Sequence, residues 1–193
     1  MGAEEREGNG WVSVSVVGHD RPGIVAGVSK VLFEHSCNIE ALSQTVLMGQ
    51  FAMIVVVSLL KGASIEGLQE GLATLARGTG LEIHVHGIDP QEQLPYPADK
   101  TEPFVITVRG EDRPGLVAAV TEILAHEGIN ITRLGAEVVP VGGRQEYIQI
   151  YEVDIPNDLD FARIQRALSE RGAEIGVAVD MQHRDIFRAI NQI

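Results

Sequence analysis

The chain has 193 residues, an apolar content of 45% that suits a globular core, and a net charge of −12 from 27 acidic and 15 basic residues. This acidity disfavours direct nucleic-acid binding, which relies on a basic footprint to displace counterions, and attachment to an anionic membrane surface. The single cysteine, Cys37, excludes an intrachain disulfide, and no apolar run approaches the roughly 20 residues a membrane helix needs.

In chain order, Met1 to Gly10 is rich in Glu and Gly and has no apolar signal-peptide core. It reads as a disordered lead-in, and the expected location is cytoplasmic, or an organelle interior if a transit peptide has been removed. Trp11 to Gly18 is a strand by its β-branched content. A helix is expected to begin at Asp20-Arg21-Pro22-Gly23, with Pro22 at its first position and Ile24, Val28, Val31 and Leu32 on its apolar face. Two strands follow, over 38–47 and 51–60, and the run Met53 to Leu60 reads as a fully buried central strand. Ile65, Leu68, Leu72 and Leu75 mark a second helix, and Leu81 to His86 a last strand.

The polar segment 88–102, with Pro90, Pro95 and Pro97, reads as a linker. The order then repeats: a strand over 103–110, a helix carrying Leu116, Val120, Ile123 and Leu124, and Gly128 as its left-handed terminator. Strands over 130–139 and 144–154 are joined at Gly142-Gly143. Phe161, Ile164 and Leu168 mark a helix, and Ala173 to Met181 a strand. The tail 182–193 reads as a short helix that docks through Ile186, Ile190 and Ile193.

The repetition is explicit in the residues. The 30 residues from Gly18 and the 30 from Gly110 align without gaps at 13 identities, both carrying Asp-Arg-Pro-Gly and a later Asn-Ile. A period of 92 residues is domain-sized, too long for a solenoid unit. The fold class is therefore α+β: two ferredoxin-like βαββαβ domains, 11–87 and 103–181, each a four-stranded antiparallel sheet with two helices on one face.

The candidate site is the turn Gly18, His19, Asp20, Arg21, Pro22, Gly23 and its twin Gly110, Glu111, Asp112, Arg113, Pro114, Gly115. Each turn feeds a helix N-terminus, whose first N–H groups lack internal partners and whose dipole favours a carboxylate. Asp20 and Asp112 are acceptors for an ammonium group. Donors on one side and a carboxylate on the other suit a zwitterionic amino acid. The competing reading is structural: an Asp before Arg-Pro-Gly as a helix N-cap, worth about 1 kcal/mol.

The pattern Gly-x-Asp-Arg-Pro-Gly, a helix, then Asn-Ile opening the next strand, resembles the ACT domain family over nearly the whole chain. The resemblance implies a free amino acid bound between paired domains, in regulation of metabolism. Serine-sensing members take contacts from the positions of Asp20 and Asn38, and here equally of Asp112 and Asn130. They carry Asn where this chain has the two aspartates, and His where it has Gly18 and Gly110. An ionised Asp pairs with an ammonium but cannot donate to a carboxylate.

The function expected is amino-acid sensing, of the glycine or serine class, controlling glycine cleavage or amino-acid metabolism through a protein partner. Homo-oligomer formation or pairing of the domains within the chain is expected, with no cofactor, no metal, no nucleic acid and no membrane. A protein–protein interaction module without a small ligand is the alternative. Catalysis is not expected, because the sequence offers no nucleophile–base pair, phosphate loop or metal triad. Cys37 aligns with Ile129 and reads as a core thiol. His84 and His86 share a strand face without further ligands nearby.

Overall fold

The computed structural model describes residues 10–89 and 98–191. The chain divides into two compact units, one on either side of residues 93 and 94. The lead-in 1–9, most of the expected linker and the last two residues lie outside the described residues.

The first unit runs β1 (Trp11–His19), α1 (Ile24–Glu34), β2 (Cys37–Leu47), β3 (Gln50–Leu59), α2 (Ile65–Thr79) and β4 (Glu82–Ile88). Its sheet has the order β2-β3-β1-β4, with every neighbouring pair antiparallel. The strand period of two sends Val12, Val14 and Val16 of β1, and Phe51, Met53, Val55, Val57 and Leu59 of β3, to one face. There they meet Ile24, Val28 and Leu32 of α1 and Leu68 and Leu72 of α2, which recur at helical spacing. Each fully buried side chain of this kind contributes about 1.5–3 kcal/mol.

The second unit runs β5 (Thr101–Gly110), α3 (Leu116–His126), β6 (Asn130–Val141), β7 (Arg144–Pro156), α4 (Phe161–Glu174), β8 (Val177–His183) and α5 (Arg184–Asn191). The sheet order β6-β7-β5-β8 is the same. Leu116, Val120 and Leu124 of α3 and Ile164 and Leu168 of α4 face Ile106, Val108, Tyr151, Val153 and Ile155. Both β2–β3 and β6–β7 turn through two residues with positive φ, Met48-Gly49 and Gly142-Gly143, the pairing a twisted hairpin requires. Gly128 is left-handed, as its position after α3 predicts.

Several sequence expectations need correction. Neither first helix starts at the proline. Pro22 and Pro114 lie in the turn, and the helices open at Ile24 and Leu116 behind left-handed glycines. The strand β3 is central but not buried on both faces: Ile54 is 56% exposed. The last strand of the second unit begins at Val177, not Ala173, because α4 continues through Glu174. Strands intrude on the expected linker, since β4 reaches Ile88 and β5 starts at Thr101. Gln182 and His183 belong to β8, and α5 starts only at Arg184. Ile186 is 55% exposed, and Phe187 is the α5 residue that lines a cleft against the sheet. The side chains of Ile190 and Ile193 lie outside the described residues.

Candidate functional site

Each candidate loop leaves the sheet at the C-terminal end of the unit's first strand. Gly18 stands opposite Phe51, and a Cβ built on it would come within 2.6 Å of Leu81 Cδ2. Gly110 stands opposite Tyr147, and its Cβ would meet Val177 Cγ1 at 2.7 Å. Both positions therefore need glycine for room. Gly23 and Gly115 need it for conformation, with φ of 97° and 91° and no atom near the missing Cβ.

The helix starts contrast sharply within each unit. Ser64 caps α2 by accepting from the Gly67 amide at 3.1 Å, and Asp160 caps α4 by accepting from the Arg163 amide at 3.1 Å. At α1 and α3 the N-cap is a glycine and no side chain takes the free N–H groups. Asp20 and Asp112 are thus not the caps, contrary to the N-cap reading of these two residues. Both are exposed, and their carboxylates make no hydrogen bond or ion pair among the described residues.

The arginines behave differently. Arg21 donates to the backbone carbonyl of Thr79, where α2 ends. Arg113 lies in the same place, its Nη2 2.5 Å from where a Cβ of Gly176 would be. Both guanidinium groups lie at the C-terminal end of the unit's second helix, where a cation is favoured, and Arg21 ties its loop there by a hydrogen bond. The Asp20 amide donates to the Gly49 carbonyl at 2.8 Å, tying the first loop to the β2–β3 turn. Beside it, the His19 ring and the Gln50 side chain share a hydrogen bond of 3.2 Å.

The asparagines lie elsewhere. Asn38 pairs in register with Ser58, which stands opposite Trp11, whereas the loop begins where Gly18 stands opposite Phe51. Seven residues of strand separate the two ends, about 23 Å. Asn130, opposite Asp154 and Pro103, is equally remote from Asp112. Within one unit the Asp and the Asn do not share a pocket. Asn38 donates to Glu40 Oε1 at 2.9 Å, and Ser58 donates to the same oxygen at 2.6 Å. Glu40 is the extra residue of a bulge in β2.

The second loop borders an open groove of about 650 Å³, lined by Asp112, Arg113, Pro114, Gly115, Leu116 and the ring of Tyr147. Sequence reasoning missed Tyr147. It occupies the position of Phe51, but the longer hairpin of the second unit shifts the numbering, so an ungapped alignment does not pair them.

The remaining sequence candidates are placed as follows. The Cys37 thiol is half-buried against the first core, 3.5 Å from the His35 carbonyl, and burial raises its pKa. His84 and His86 are exposed on the helix-free face, opposite Ser15 and Ser13. Among the described residues no group of three His, Cys, Asp or Glu is arranged to hold a metal. No described helix is long and apolar enough to cross a membrane.

Comparison with known proteins agrees with this architecture. One ACT domain model matches residues 12–86 and another matches 104–170. The chain is 47% identical over 77 residues to a UPF0237 protein from Methanopyrus kandleri, covering 86% of that protein and 39% of this chain. It is 38% identical over 93 residues to one from Methanococcus maripaludis, covering 99% of that protein and 48% of this chain. These relatives have the length of one unit. An unknown protein from Galdieria sulphuraria matches across both units, with 32% identity, a TM-score of 0.76, and coverage of 90% of this chain and 98% of that one. A candidate glycine cleavage system transcriptional repressor shares the fold at 17% identity and a TM-score of 0.65, over 89% of this chain and 95% of that one. Two units with the same strand order, the same glycine-capped loop and two family matches lead to one assignment: the chain belongs to the ACT domain family and carries two ACT domains in tandem.

Proposed function

We propose that the protein is a regulatory sensor of a free amino acid, glycine or serine first, and that it acts without catalysis. The observation that carries this is the uncapped start of α1 and α3 beside an unpartnered aspartate, twice in one chain. The free N–H groups offer a seat for a carboxylate, and Asp20 or Asp112 offers one for an ammonium. Gly23 and Gly115 leave open space above the backbone. Arg21 holds the first loop in place from the side, and Arg113 lies at the corresponding position in the second. Asn38 and Asn130, at the far sheet ends, join a ligand only if a second unit, of this chain or another copy, brings them to the loop. Binding across such a seam favours the paired state, which a protein partner reads. Control of glycine cleavage is the first output to test, because the fold is shared with the candidate repressor. An acidic chain delivers a transcriptional output through a DNA-binding partner.

The test is thermal unfolding of the full chain with each common amino acid, with the double variant Asp20→Ala/Asp112→Ala alongside. A ligand at one hundred times its Kd adds about 2.7 kcal/mol. Glycine or serine is expected to raise Tm in the parent protein only. The double variant without ligand is expected to stay within about 0.5 kcal/mol of the parent, since neither aspartate caps a helix. No shift with any amino acid at millimolar concentration leaves the interaction-module reading in its place.

A further inference from the structure

The second unit has a feature that the first lacks. The residues β5 and β8 present on the helix-free face are Val105, Thr107 and Arg109 from β5, and Ala178, Asp180 and Gln182 from β8. The terminal helix α5 folds over this face. Between them lies a cleft of about 380 Å³, lined by Thr107, Arg109, Ala178, Asp180, Gln182 and Phe187. That volume is within the range of small-molecule sites.

Its chemistry is specific. Thr107 is 8% exposed, and its hydroxyl makes no hydrogen bond among the described residues. Arg109 pairs with Ala178, and Thr107 with Asp180, so the guanidinium and the carboxylate stand diagonally on one face, their Cβ atoms about 7–8 Å apart. They form no ion pair. Asp180 instead accepts from Gln182 at 2.5 Å, and Arg109 has no partner among the described residues. Opposite charges without a mutual ion pair line the cleft, with the Thr107 hydroxyl beside them and the Phe187 ring as an apolar wall. The equivalent positions in the first unit are Val17, Ser15, Glu82 and His84, which carry no cation to match Arg109.

We propose that this cleft binds an α-amino acid with an apolar side chain. The carboxylate is seated on Arg109 and Thr107, the ammonium on Asp180, and the side chain against Phe187. A carboxylate and an ammonium two bonds apart, with one hydrogen bond at each end, span the gap between the two protein charges. The site is separate from the Asp-Arg-Pro-Gly loops and stands whether or not those loops take a ligand.

The experiment is an amide NMR titration of the full chain with L-phenylalanine, 3-phenylpropionate and phenethylamine. L-Phenylalanine is expected to move the amides of Thr107, Ala178 and Asp180. The two analogues, each lacking one charge, are expected to bind at least about tenfold more weakly. Arg109→Gln and Asp180→Asn are each expected to weaken L-phenylalanine by a similar factor. Both residues are exposed, so the fold should survive, and dispersed spectra check it. Thr107→Val serves as a third variant that keeps the shape and removes the hydroxyl. Shifts confined to Gly23 and Gly115 would place the ligand in the loops and overturn the cleft. So would equal affinity for 3-phenylpropionate, or unchanged affinity after Arg109→Gln.

Discussion

The two units share one backbone plan but hold it together differently. In the first, α1 and α2 approach closely: a Cβ on Gly71 would come within 3.1 Å of Val31 Cγ1 and would strike the His35 ring. In the second, the equivalent junction is a bidentate ion pair between Glu127, which ends α3, and Arg163, in the first turn of α4. The cores differ too. Where the first unit places Met53 and Val55, the second buries Gln149 and Tyr151, whose hydroxyl donates to Gln149 Oε1 at 2.5 Å. The Gln149 amide nitrogen has no partner among the described residues. A duplicated fold thus tolerates exchange of apolar contact for polar contact at the same coordinates, and the second unit carries titrating groups, Tyr151 and Glu127, where the first has Val55 and His35. A half-satisfied buried amide lowers stability, so the first unit is expected to be the more stable.

The largest test of this contrast is alkaline. Burial pushes the Tyr151 hydroxyl up to about 12, against 10.0 for a free tyrosine. The unfolded chain therefore releases this proton first, and the stabilisation is complete below about pH 10 and lost as pH rises toward 12. The second unit should lose up to about 3 kcal/mol over that window, and Tyr151→Phe should flatten the slope. Hydrogen exchange resolved by unit, at several pH values, checks this; parallel losses in both units would remove the contrast.

Helix glycines give the next test. A Cβ at Gly172 would stand 2.9 Å from the Val177 carbonyl and 2.6 Å from Val179 Cγ2, whereas Gly78, near the end of α2, has nothing within 4 Å. Gly172→Ala should destabilise the second unit by about 1–3 kcal/mol. Gly78→Ala should stabilise the first by up to about 1 kcal/mol. Urea melts of the two variants should move in opposite directions.

The smallest effect is acidic. The hydrogen bond from Arg163 holds the Glu127 carboxyl below its usual 4.5. Its contribution is present above that value and fades as pH falls through the folded one, so the second unit should yield first in acid. Glu127→Gln should bring the two acid midpoints closer, as read from fluorescence and exchange.

Much of this was legible in the residues. The 92-residue repeat and the two periodicities gave the element order, and paired glycines marked the second hairpin. The start of α1 was misread because proline favours a first helical position as well as a turn; only the positive φ at Gly23 decides between them. Asp20 and Asn38 lie apart within one unit for a topological reason. The helix carries the chain back before β2 starts, so the residue opening β2 lies at the sheet end opposite the loop. Neither the Tyr147 wall nor the α5 cleft could be read in advance, because both depend on strand register, which an ungapped alignment does not carry.

The space missing at Gly18 and Gly110 has a further consequence. Leu81 and Val177 already fill the space that any side chain at Gly18 or Gly110 would need. Gly18→His alone collides with the neighbouring strand, so exchanging one recognition style for the other takes coordinated changes at two positions, the intermediate being less stable than either end. The backbone plan can therefore be shared while the side chains tolerated at this turn are not.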